Sequence, residues 1–104
     1  MNESLEFLYR LTPKRVGMLI EGPTDEEARV VGAHFHYLKD LSEQGVVVLA
    51  GRTTTEDESV FGIFVFRAGS EEAARALMES DPAVCQGVMK AELFPFRVAI
   101  RSVI

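Results

Sequence analysis

VVVLAGRTTTEDESVFGIFVF, residues 46–66, holds two apolar runs around one polar connector. The first run, VVVLA at 46–50, is continuous and rich in β-branched residues, which predicts a strand buried on both faces. The second, VFGIFVF at 60–66, reads the same way and is interrupted only by Gly62. The connector GRTTTEDES at 51–59 is short, so the two strands are expected to be antiparallel neighbours. What stands on either side of this pair decides the fold.

Immediately upstream, Gly45 is a natural helix stop. The helix it ends opens at Thr24-Asp25-Glu26-Glu27, a capping box: the Thr24 hydroxyl can satisfy one backbone N–H while Glu27 reaches back to another. The acidic first turn suits the positive end of the helix dipole. Ala28, Val31, Phe35, Leu38 and Leu41 follow at helical spacing and predict a helix over about 25–44. Further back, LEFLYRL at 5–11 reads as a strand. Thr12-Pro13-Lys14-Arg15 reads as a turn-like break, VGMLIE at 16–21 fits either a strand extension or a helical turn, and Gly22-Pro23 closes the stretch.

Downstream, Ser70 caps a second helix, with Glu71 and Glu72 in its first turn and Ala73, Ala74, Ala76, Leu77 and Met78 on its apolar side. Asp81-Pro82 stops it and opens a short further turn. The last strand falls within 87–100, where Pro95 suits an edge or a bulge. The order is β-α-β-β-α-β: an α+β, ferredoxin-like arrangement with two helices on one face of a four-stranded antiparallel sheet. A half-solvated sheet should alternate, whereas these strands are apolar on both sides, so the bare face needs a cover. A second copy, sheet to sheet, is the simplest one, and a homodimer is expected.

At 104 residues the chain suits one domain over 1–104, with a core only just large enough. The net charge of −5, with Lys and Arg scattered singly or in pairs, argues against a nucleic-acid partner, because phosphate-binding surfaces cluster cations. The single cysteine, Cys85, fits a reducing compartment and reads as a small buried residue rather than a nucleophile. The stretch 1–6 lacks a basic segment followed by an apolar run, and no segment is long enough to cross a bilayer. A cytoplasmic protein without membrane contact is expected.

Taken in order, several stretches resemble the YciI-like (YCII-related) family of the dimeric α+β barrel superfamily. They are the opening FLYRL; His34-Phe35-His36-Tyr37-Leu38, similar to the family's His-x-x-Tyr-Leu; Leu49-Ala50-Gly51; residues 76–84 with Asp81-Pro82; and Ala91-Glu92-Leu93-Phe94-Pro95-Phe96. The resemblance covers nearly the whole chain. Arg52 is a departure, standing where many members have Pro after the Ala-Gly. The resemblance implies the ferredoxin-like fold, a dimer, and a pocket holding a His and an Asp, which map onto His34 and Asp81. It implies no settled reaction, although acid–base chemistry on small ring compounds is suggested for some relatives, and fold kinship alone says nothing about substrate.

The helix period separates the two histidines independently. His34 falls about 60° from the centre of the apolar stripe and His36 about 140° from it, so His34 sits at the margin of the buried face and His36 looks to solvent. Tyr37 shares the flank of His34. This arrangement can line a pocket; it also fits a boundary histidine whose nitrogens find a backbone carbonyl. Asp81 likewise has two readings. It can cap the turn at Pro82, and it can meet His34, fix one tautomer and raise the basicity of the imidazole. Two histidines without supporting Cys, and with no Asp or Glu at ligand spacing, predict no metal site.

The leading expectation is a cofactor-independent acid–base enzyme, an isomerase or lyase acting on a small, cyclic molecule. His34 shuttles the proton, Asp81 orients it, and Tyr37 or Arg52 binds a polar substituent. A different class competes with it: a non-catalytic small-molecule-binding or structural dimer in which His34 and Asp81 only stabilise the fold. An oxygen-dependent or haem-binding protein is a third reading, with no ligand set beyond His34 to support it.

Overall fold

The computed structural model describes residues 5–102, so the first four residues of the stretch read for targeting lie outside the described residues. The elements run β1 (Leu5–Pro13), α1 (Gly17–Ile20), α2 (Asp25–Glu43), β2 (Val47–Arg52), β3 (Gly62–Ala68), α3 (Glu71–Glu79), α4 (Pro82–Cys85) and β4 (Met89–Phe96). The four strands form one antiparallel sheet in the order β2-β3-β1-β4. This is the expected ferredoxin-like α+β fold. The strand β1 outruns its expected end: Thr12 and Pro13 continue the ladder opposite Lys90 and Met89 instead of turning. The ambiguous stretch at 16–21 resolves as the single helical turn of α1.

The predicted helix start is present in full. The Thr24 hydroxyl accepts from the Glu27 N–H at 3.1 Å, and the Glu27 carboxylate accepts from the Thr24 N–H at 2.8 Å. Arg15 locks this end further by donating two hydrogen bonds to Glu27, at 2.6 and 2.9 Å, and a third to the Gly22 carbonyl at 3.2 Å. These bonds hold Glu27 down at about 2, first through Arg15 and then through the Thr24 N–H. At the other end Gly45 takes φ +76°, its N–H reaching the Ser42 carbonyl at 3.0 Å and that of Val46 reaching Leu41 at 2.9 Å. Only a residue without a Cβ adopts that conformation cheaply, so the stop at Gly45 is a matter of backbone geometry.

Strand register sorts the side chains into rows, because residues opposite each other share a face. One face carries Val47–Phe66–Phe7–Pro95 and Ala50–Phe64–Tyr9–Leu93, and the helices cover it. The core lies there, joining Phe7, Tyr9, Leu11, Phe64 and Phe66 to Leu38, Ala74, Met78 and Ala83. The other face carries an apolar row across all four strands, Leu49–Val65–Leu8–Phe94. Among the described residues no helix covers it; Leu49 is 57% and Phe94 43% exposed at its ends, while Val65 between them is buried by its neighbours. Here the strand expected to be buried on both faces differs. β2 is an edge strand, with a register break between Val47 and Leu49, and only Val47 in it is buried. β4, the other edge, carries Pro95 as expected.

The face of α2 also differs from expectation. Its buried residues are Val30, His34 and Leu38, whereas Ala28 is exposed and Phe35 is 70% exposed. The helix is therefore rotated so that His34 sits within the buried face and not at its margin. Phe35 is apolar yet exposed, so a stripe centred on it lies off the true buried face, and a polar partner for His34 makes the actual rotation tolerable. His36 faces solvent as expected.

Candidate functional site

A carboxylate with no exposed surface lies where four elements meet. Asp81 ends the link between α3 and α4, and its Oδ1 accepts from the Ala83 N–H at 2.9 Å, capping α4. From α2, His34 Nδ1 stands 2.7 Å from Oδ1 and 2.9 Å from Oδ2. From β1, the Tyr9 hydroxyl donates to Oδ2 at 2.7 Å. Both readings of Asp81 thus coexist in one side chain: it caps, and it binds His34. Burying a carboxylate without such donors would cost several kcal/mol, on the order expected for an unpaired ion. Three donors explain how this one is tolerated, with charge-assisted bonds contributing more than neutral ones.

The partner assignment fixes the histidine. An ionised Asp81 only accepts, so the Nδ1 facing it carries a hydrogen and the neutral ring holds its lone pair on Nε2. That nitrogen has no hydrogen-bond partner among the described residues, and no described buried side-chain nitrogen or oxygen lacks one. Nε2 therefore reaches the molecular surface, although His34 as a whole is only 8% exposed. The ring is steadied edge-on against Phe64 at 5.4 Å, and Phe35 lies 6.3 Å away. Such an imidazole can accept a proton at Nε2 while the carboxylate stabilises the resulting charge.

The remaining expected residues lie as follows. The Tyr37 hydroxyl donates to the Leu77 carbonyl at 2.6 Å, tying α2 to α3. Burial, then the negative charge of Asp81, pushes its phenol up to about 12, so it stays protonated. Arg52 lies at the end of β2 in a groove of about 300 Å³ with Leu49, Phe61 and Ile63. Neither this groove nor a larger one of about 540 Å³ between Phe7, Pro95 and Arg97 is lined by His34 or Asp81. Cys85 is exposed, contrary to its reading as a buried residue, because it occupies the outward side of the one-turn helix α4. Among the described residues no group of three or more His, Cys, Asp or Glu is arranged to hold a metal.

Tyr9 is the member that spacing could not find. It stands 72 positions from Asp81, within a strand whose apolar and aromatic character already accounted for it. The one available signal was chemical: a fully buried tyrosine needs a partner for its hydroxyl.

No curated protein matches this chain in sequence. Among solved structures it is similar to 5-chloro-2-hydroxyhydroquinone dehydrochlorinase from Burkholderia phenoliruptrix AC1100, in complex with 2,5-dihydroxybenzoquinone. That likeness has a TM-score of 0.62 at 17% identity, over 88% of this chain and 93% of the other. It is also similar to the cofactor-independent oxygenase SnoaB of Streptomyces nogalater, with a TM-score of 0.46 at 16% identity, over 97% of each. At these identities the first likeness shows a shared fold and no more. The family model described as the YCII-related domain matches residues 8–97, which takes in Tyr9, His34 and Asp81 together, and the chain belongs to that family.

Proposed function

We propose that the protein is a cofactor-independent acid–base enzyme, an isomerase or lyase acting on a small cyclic molecule, with His34 as its proton shuttle. One observation carries the proposal: Nδ1 is held by both oxygens of a buried carboxylate while Nε2 has no hydrogen-bond partner among the described residues. In the reaction Nε2 takes a proton from a substrate carbon or hydroxyl. The electron pair released moves into an adjacent carbonyl or expels a leaving group. The imidazolium then returns its proton to another substrate atom or to the departing group. Asp81 keeps the ring oriented and stabilises its positive form. Tyr37 offers hydroxyl lone pairs to a substrate donor, and Arg52, in a groove that neither His34 nor Asp81 lines, offers a cation only to an anionic substituent long enough to reach it. A hydroxylated ring is the kind of compound named for the dehydrochlorinase, and we extend it here as the first class to screen.

The proposal includes a homodimer formed through the open sheet face, whose Leu49–Val65–Leu8–Phe94 row is apolar and exposes Leu49 and Phe94 in the lone chain. It also includes a cytoplasmic setting, in keeping with one free cysteine.

The test is to screen hydroxylated ring compounds for turnover and compare wild type with His34→Ala. Loss of about 100-fold or more in kcat, with the fold retained, is the expected result. Equal turnover by the variant rejects the shuttle. A non-catalytic binding or structural dimer is the second reading, favoured by the fact that neither groove is lined by His34 or Asp81. That reading predicts a His34→Ala variant that loses stability and nothing else.

A further inference from the structure

The buried carboxylate has two oxygens, and each is engaged by a donor other than histidine: Oδ1 by the Ala83 N–H at 2.9 Å, Oδ2 by the Tyr9 hydroxyl at 2.7 Å. His34 Nδ1 sits between them, at 2.7 and 2.9 Å. We propose that Tyr9 is a positioning residue for His34. It pins one end of Asp81 as the helix cap pins the other, and by drawing charge from that carboxylate it sets how strongly His34 holds a proton at Nε2. The inference rests on the reading of His34 as a proton shuttle, but its test reads the imidazole directly.

A carboxylate held at one oxygen can rotate about its Cβ–Cγ bond and present either oxygen, or one edge, to the ring. Held at both, it can only face His34 squarely, and the imidazole plane follows. Tyr9 is itself enclosed, with no exposed surface and its ring packed against Phe64 at 4.8 Å and Phe66 at 5.5 Å. Burial, then the negative charge of Asp81, raises the phenol far above its ordinary value, so Tyr9 remains a donor throughout the working range. A donor shares the carboxylate charge that would otherwise act on His34 alone, so a stronger donor makes the imidazolium easier to deprotonate and a weaker one makes it harder. Of the other titratable groups around the pair, Tyr37 comes from the same helix as His34 and Cys85 from α4, both close enough to interact electrostatically with one another. β3 faces the ring with Phe64, which does not titrate.

The experiment follows the His34 ring signals by NMR across pH in a His36→Gln background, which leaves one imidazole. Tyr9→Phe keeps the ring and removes the donor; it should move the His34 titration midpoint upward by about 0.5 to 1 in pH. Fluorotyrosine at position 9 keeps the shape and strengthens the donor, and should move the midpoint downward. Tyr37→Phe in the second case leaves Tyr9 as the one labelled tyrosine. Opposite displacements establish the positioning role, and the fluorinated protein decides the matter if Tyr9→Phe does not fold. Midpoints that stay put, or that move the same way in both, overturn it and leave Tyr9 as core packing. Unchanged turnover in His34→Ala would instead remove the shuttle while leaving a demonstrated Tyr9 effect standing, so the two failures are distinct.

Discussion

Asp81 illustrates how one side chain can be structural and chemical at once. Replacing it with Ala removes the acceptor shared by the Tyr9 hydroxyl, the Ala83 N–H and His34 Nδ1. All three donors then lose their buried partner, each at a cost of about 1–3 kcal/mol. The expected loss is about 3–5 kcal/mol in urea unfolding, large for one substitution in a chain this small. His34→Ala, by contrast, leaves Tyr9 and Ala83 satisfied and should cost less than the Asp81 change in the same assay. An equal cost for the two would mean that the carboxylate is held for the histidine alone. Tyr37 is simpler: its hydroxyl already serves the Leu77 carbonyl, so Tyr37→Phe tests a helix-to-helix tie as much as any ligand contact.

At the scale of elements, the helix α2 shows what a sequence discloses and what it withholds. Its start was legible because Thr24 and Glu27 act on each other's backbone three residues apart, and its end because Gly45 must take a positive φ. Its rotation was not, because Phe35 is apolar yet exposed, and His34 is polar yet buried by virtue of a residue 47 positions away. Neighbours in space but not in sequence decide such cases. The same limit hid Tyr9 and left Arg52 near a groove apart from the pair. The N-terminal turn also makes a pH prediction. Glu27 is held at about 2, below an ordinary value of 4.5, so its stabilisation is complete above 4.5 and is lost as pH falls toward 2. Glu27→Gln should therefore lower the melting temperature near neutral pH, and the gap to wild type should close between about pH 4.5 and 2. Because Glu27 and Arg15 are at the surface, added salt should narrow the gap at neutral pH as well.

For the whole molecule, the row Leu49–Val65–Leu8–Phe94 is the feature with consequences for assembly. Phe96, 42% exposed, extends the apolar area beside it, while Arg10, Glu92, Glu6 and Arg67 flank it on the same face. An apolar centre with a polar surround is the plan of many stable interfaces, which bury about 1,600 Å² in total. Leu49→Glu combined with Phe94→Glu should turn a dimer into a monomer in sedimentation at micromolar concentration, with little change in far-ultraviolet circular dichroism. A wild-type chain that sediments as a monomer under the same conditions would reject assembly through this face.

The two margins of the sheet bear on the opposite hazard. β2 breaks register between Val47 and Leu49, which twists that margin away from a flat template, and β4 carries in Pro95 a residue with no N–H to offer a newcomer. Strand-by-strand growth, the route to fibrils, is thereby discouraged at both open ends. Two copies can close on each other through their faces and leave nothing for a third to extend. A chain with so apolar a sheet face can thus remain a bounded particle at concentrations where an unguarded sheet would polymerise.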